Sequence, residues 1–272
     1  MIQRRYPGGK RKAFNISYDD GVLRDIRFVQ LLNRYGLKGT FNLNYGLMHS
    51  GFTWQHECGM SVRRIPEEQV VSVYQGHEVA SHSYSHPYFD NAAETEILKE
   101  LGSDKFFLER LFGREVAGYA TPFYYYSDLM ADCVRHCGFE YARISEESND
   151  YSIPADLYRW RGSKFHWDSD LKDFVLQFLN TDQELALCQL VGHSYDLDVL
   201  DLWEQMEHIF RWVSDNDEIW PCTHIELVHY LKNMNLAVVS DQGINNESDA
   251  ELWFWVDGKT VKLGPGEKIQ FM

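Results

Sequence analysis

Three short fragments hold the side chains best suited to chemistry: Asp19-Asp20-Gly21, His82-Ser83-Tyr84-Ser85-His86 and Gly192-His193-Ser194. Taken singly, each has an ordinary structural explanation. Asp-Asp-Gly is a common turn, an i,i+4 histidine pair arises readily by chance, and a strand-end histidine is usually hydrogen-bonded within the fold. Taken together they offer one carboxylate and two imidazoles, a sound facial ligand set for Zn²⁺ or a similar divalent ion that leaves positions for water and substrate. A second, adjacent carboxylate could then act on that water.

Each fragment follows a short apolar run that reads as a strand, and the runs alternate with amphipathic stretches, the rhythm of repeated βα units. Strands are expected at 13–18, 39–43, 77–81, 116–120, 141–144 and 185–191. Helices are expected at 22–35, from Pro66 to Gly76, and at 93–112, 128–136, 200–213 and 223–234. Glu67 and Glu68 fall in the first turn of the second helix, where they complement its dipole. The polar stretch 145–154 reads as a loop, and Asp257-Gly258 between β-rich arms reads as a hairpin turn in a small β appendage over 244–272. In α/β barrels, active sites assemble at the C-terminal strand ends, where the three fragments lie.

With 272 residues, the chain has the length of one barrel-type α/β domain plus a small appendage, here divided as 1–240 and 241–272. Its 41 acidic residues against 26 Lys and Arg give a net charge of -15, which repels polyphosphate backbones and anionic lipid, so neither nucleic acid nor a membrane surface is expected as a partner. No apolar run approaches the roughly 18 residues of a membrane span. Five scattered cysteines without a C-x-x-C pair are the arithmetic of reduced thiols. With no apolar segment after MIQRRYPGGKRKAFN, they predict a cytoplasmic protein, although a secreted one with its leader removed would read the same.

Ser17-Tyr18-Asp19-Asp20-Gly21, then Gly39-Thr40-Phe41, then Gly76-His77-Glu78-Val79-Ala80-Ser81-His82-Ser83-Tyr84-Ser85-His86-Pro87, resembles the polysaccharide deacetylase family, carbohydrate esterase family four. The resemblance covers roughly 13–240. It implies a distorted, incomplete (β/α) barrel and metal-dependent removal of acetyl groups from sugars. It assigns the metal to Asp20, His82 and His86, the catalytic base to Asp19, and the late histidine acid to His193, with Val191-Gly192-His193 standing where the family has Leu-x-His. One divalent ion is implied, Zn²⁺ first, with Co²⁺, Ni²⁺ and Mn²⁺ also admitted by the O/N ligands. The backbone N–H of Phe123 would help to hold the oxyanion.

Two motifs depart from the family pattern. Ala120-Thr121-Pro122-Phe123-Tyr124 stands where Arg-x-Pro and an aromatic are usual, so the arginine that orients the base is missing; Arg143, at the next strand, is a neighbouring source of charge or an ordinary ion-pair arginine. Tyr158-Arg159-Trp160, with His166 nearby, only loosely matches the Trp-bearing fourth motif. Phe123, Tyr124, Arg143, Trp160 and His166 are the substrate-binding candidates, and Trp54, Tyr124, Tyr125, Trp160 and Trp167 the candidate sugar-stacking rings, though most such rings pack in cores. The expected substrate is an N-acetylated amino sugar or its oligomer. Because one attack serves amide and ester alike, an O-acetyl esterase of the acetylxylan type stands beside it. A non-catalytic carbohydrate-binding protein with a degenerate site is the third reading, kept alive by the missing arginine.

Overall fold

In the computed structural model, which describes residues 2–271, Lys12–Asp19, Thr40–Leu43, Glu78–Ser81, Gly118–Ala120 and Tyr141–Glu147 pair in sequence order as parallel strands. Trp160–Gly162 continues this sheet beyond Tyr141–Glu147, while Ala186–Gly192 and then Lys164–Phe165 extend it on the other side of Lys12–Asp19. Ile219–Pro221 also pairs with Lys12–Asp19, off this path. The result is an almost closed parallel barrel whose ladder is left unsealed between Trp160–Gly162 and Lys164–Phe165.

The helices cover the barrel because alternate strand residues face them. In Lys12–Asp19, Phe14, Ile16 and Tyr18 join the main core with Phe28 and Leu32 of Asp25–Arg34 and Phe210 of Trp203–Ser214. The intervening Asn15, Ser17 and Asp19 therefore face the barrel interior, and the last of them reaches its rim. Burying both faces of a parallel strand requires this helical layer.

The strand predicted at 141–144 runs on to Glu147, so the loop expected over 145–154 is shorter at its start. Trp160–Gly162 supplies the pairing partner, with a register shift between Ile144 and Glu147. The helix expected at 200–213 starts at Trp203, because Asp201 has φ 53 and separates it from the short helix Asp196–Val199. Leu171–Asn180 is a helix that no expectation covered.

The Asp257-Gly258 hairpin is present, joining Leu252–Val256 to Lys259–Leu263, and Ile2–Arg5 pairs with its first strand. A second small sheet joins Ala237–Ser240, Gly243–Asn246 and Lys268–Gln270. Met272, the last residue of the expected appendage, lies outside the described residues. Tyr6, Leu227, Leu231, Ile244, Leu252 and Phe254 share one core, so both chain ends pack with the helix His224–Met234. All five cysteines are free thiols. Among the described residues no helix is long and apolar enough to cross a membrane.

Candidate active site

Asp19, Asp20, His82, His86 and His193 line one cavity of about 220 Å³ at the C-terminal strand ends. Asp19 closes its strand, while His82 and His193 each stand one residue beyond theirs. Four of the eight non-glycine residues with positive φ among those described belong to this region: Asp20 (83), Ser83 (65), His86 (55) and Phe123 (54). Such backbone costs free energy, about 1–3 kcal/mol each, and persists where surrounding contacts over-determine it.

Those contacts are visible around His82. Asp104 accepts from Ser81 Oγ at 2.6 Å and from the His82 backbone N–H at 3.3 Å, while Asn44 donates to the carbonyls of His82 and Ser83. His82 Nδ1 lies 2.8 Å from the Ala120 carbonyl. A carbonyl only accepts, so Nδ1 carries the proton and Nε2 keeps its lone pair, the tautomer a metal ligand needs.

Asp20, His82 and His86 offer ligand atoms that all lie within 4.8 Å of one another. Burial pushes the Asp20 carboxyl up, but Arg64 and the histidines pull it well below the usual carboxylate range. Burial also lowers His82, to about 4, and lowers His86, so both imidazoles are neutral. An ionised carboxylate and two neutral imidazoles fit a divalent ion in both charge and donor type.

Asp19 is held from two sides. Arg143 Nη2 donates to both of its oxygens, and Asn42 Nδ2 donates to Oδ1 at 2.7 Å. Arg143 is the register partner of Ala120, so its guanidinium enters the same layer from the neighbouring strand. Burial raises the Asp19 carboxyl, and Arg143, His82 and His193 more than offset this, leaving it below its ordinary value.

His193 leaves the strand that pairs directly with Lys12–Asp19, and its Nε2 lies 3.9 Å from Asp20 Oδ2. Its Nδ1 donates to Asp196 Oδ2 at 2.9 Å, one helical turn on. Burial alone would lower its pKa, yet Asp196, Asp20 and Asp19 carry it to about 9. Behind it, His166 approaches the same Asp196 oxygen at 3.6 Å and shares a hydrogen bond with the Tyr18 hydroxyl. Gly192 permits this packing, since a Cβ there would sit 2.1 Å from His166 Nδ1.

Two of the substrate-binding candidates do not line the cavity. Trp160 is 1% exposed and stacks on His224 at 4.5 Å in the core, because strand parity turns it inward. His166 is wholly buried behind Gly192, where it supports Asp196. Phe123, Tyr124 and Arg143 do line the cavity, as does Trp167, whereas Trp54 lines an adjoining one and Tyr125 neither. Arg143 is there as the partner of Asp19. Sequence reading missed Asp196, which the His193-x-x-Asp196 spacing could have flagged, and Arg64, for which no local signal exists.

An α/β barrel that gathers Asp19, Asp20, His82, His86 and His193 at one rim has the architecture of the deacetylase class. The chain belongs to the polysaccharide deacetylase family, whose profile matches residues 7–142, half of its 272 residues. It is 26% identical over 180 residues to the peptidoglycan deacetylase of Helicobacter pylori, an alignment covering 63% of this chain and 59% of that protein's length. Among solved structures, one from Mycobacterium smegmatis, provisionally described as a polysaccharide deacetylase, superposes with a TM-score of 0.65 at 16% identity, covering 86% of this chain and 94% of that one. A mutant of the peptidoglycan deacetylase PdaC from Bacillus subtilis superposes with a TM-score of 0.54 at 14% identity, covering 83% and 94%. Both share the incomplete barrel fold.

Proposed function

We propose that this protein is a metal-dependent hydrolase that removes acetyl groups from an N-acetylated amino sugar or oligosaccharide. The observation carrying this reading is that one small cavity is lined together by a paired carboxylate, Asp19, a carboxylate-braced imidazole, His193, and the candidate ligands Asp20, His82 and His86.

Asp20, His82 and His86 would hold the ion, Zn²⁺ first among the divalent ions such ligands accept. When bound, such an ion supplies Lewis-acid polarisation of the acyl oxygen and a more acidic water. Asp19, ionised and aimed by Arg143 and Asn42, takes the proton from the attacking water. The Phe123 N–H, on its strained backbone, donates to the developing oxyanion. His193, protonated at neutral pH by virtue of its raised pKa, gives its Nε2 proton to the leaving nitrogen. Tyr124 and Trp167 on the cavity wall are the sugar-stacking rings of this reading.

The non-catalytic alternative rested on the missing arginine, and Arg143 fills that role from the adjacent strand. The test is acetate release from acetylated chitooligosaccharides, peptidoglycan fragments and acetylxylan. Release from the first two supports an N-deacetylase, and release from acetylxylan alone supports the O-acetyl esterase. No release from any of them, with metal bound, overturns the enzymatic reading.

A further inference from the structure

Beside the catalytic cavity lies a second one of about 490 Å³ that shares Asp20, His86, Phe123 and Tyr195 with it. Its remaining walls are Leu47, Phe52, Trp54 and Ser85, with a single cation, Arg64. Arg64 arrives there because the return strand of the hairpin Thr53–Gln55/Ser61–Arg63 leads into a bridge with Val22, fixed by Leu23 N–H to Arg63 O and Ile65 N–H to Gly21 O. Its side chain is 3% exposed, and its Cζ lies 5.0 Å from the Trp54 ring centroid.

A buried guanidinium must be compensated. Nη1 donates to the Asp20 carbonyl and sits 3.1 Å from Asp20 Oδ1, the one carboxylate in ion-pair range of Arg64 among the described residues. Nε is buried and meets no acceptor. If Asp20 also serves a divalent ion, its negative charge is divided between two cations and Arg64 is left under-compensated. In a chain of net charge -15, this annex is then a local exception that favours an anion.

We propose that the annex is an acid-recognising subsite: the preferred substrate carries a carboxylate next to its acetamido group, and Arg64 binds that carboxylate while Trp54, Phe52 and Tyr195 enclose the group bearing it. This deepens the proposed function and rests on it for the position of the acetyl group in the adjoining cavity. A planar guanidinium suits a carboxylate, since it can donate in parallel to both oxygens.

The probes are N-acetylmuramic acid and its methyl ester, which differ by one charge. Deacetylation rates (kcat/KM) and calorimetric affinities are measured for the wild type, Arg64→Gln, Arg64→Lys and Phe52→Glu. The wild type should prefer the acid over the ester by about tenfold or more, the usual worth of a hydrogen bond to a charged group. Arg64→Lys should keep part of that preference and Arg64→Gln should abolish it. Phe52→Glu, a substitution on a half-exposed rim residue outside the catalytic set, should weaken the preference by like-charge repulsion even if Arg64→Gln does not fold.

Equal handling of acid and ester by the wild type overturns the subsite. So does a preference that neither Arg64→Gln nor Phe52→Glu reduces; in that case Arg64 only braces Asp20, and its loss lowers metal affinity and both rates alike. A protein that binds the acid selectively and hydrolyses neither compound keeps the subsite and loses the deacetylase reading. One that hydrolyses both equally does the reverse.

Discussion

Arg143 donates to both carboxylate oxygens of Asp19 although the two residues lie 124 positions apart, and it does so from the strand beside the one where the family keeps its arginine. The pair is buried, so removing one partner leaves an uncompensated charge. Arg143→Ala should destabilise the fold by about 3–5 kcal/mol, read by urea unfolding. Without Arg143 the Asp19 pKa rises, so the acid limb of the pH–rate profile should move to higher pH. Arg143→Lys should recover part of both. An unmoved acid limb would assign the base elsewhere.

Metal content should follow the ligand set. Purified wild type is expected to carry one divalent ion by elemental analysis, and Asp20→Ala and His82→Ala should lower its affinity by at least about 100-fold, the upper end of what loss of a mere supporting residue costs. Equal metal in all three proteins would remove Asp20 and His82 from the site.

In the proposed mechanism, the acid role of His193 depends on Asp196. Asp196→Asn withdraws a charge that raises the His193 pKa, so the alkaline limb of the profile should move down from its wild-type position towards the ordinary histidine value. His193→Ala should spare an activated aryl acetate, whose leaving group needs no proton, and depress turnover of an acetylated sugar by about 10²-fold or more. An equal fractional loss on both substrates would assign His193 a structural role.

Gly192→Ala tests the packing behind the site. Its Cβ would sit within 2.1 Å of the His166 ring, so His166 must shift and disturb Asp196 and, through it, His193. Overpacking of this kind costs about 1–3 kcal/mol. Thermal unfolding should show the loss, and kcat should fall more than KM rises. A variant with unchanged melting temperature and rate would mean that the two rings separate freely.

Asp25 accepts hydrogen bonds from Ser194 and Tyr74 beneath the site, and burial carries its carboxyl to about 7. A carboxyl with a raised folded-state pKa stabilises the fold through its protonated form. That contribution is complete below the unfolded value near 4 and is lost as pH rises through about 7. Relative to Asp25→Asn, wild-type stability should therefore decline between pH 4 and 8, by up to about 4 kcal/mol. Chemical unfolding of both proteins across that range is the measurement, and parallel curves would contradict it.

The period of the apolar residues determined the alternation of strands and helices, because that signal is local. It also determined that Asp19, Asp20, His82 and His193 would fall at strand ends, where the chain leaves the barrel wall. The helix Leu171–Asn180 was equally legible in the i, i+3, i+4, i+7 spacing of Leu171, Phe174, Val175 and Phe178. Only the tertiary structure decided which strands became neighbours. That pairing puts Arg143 in register with Ala120 and against Asp19, folds Arg64 back onto Asp20, turns Trp160 into the core, and joins Ile2–Arg5 to a hairpin some 250 residues away. Each of these depends on contacts between residues far apart in the chain, and the side-chain pattern around any one of them specifies its own backbone conformation but not the partner it meets across the barrel.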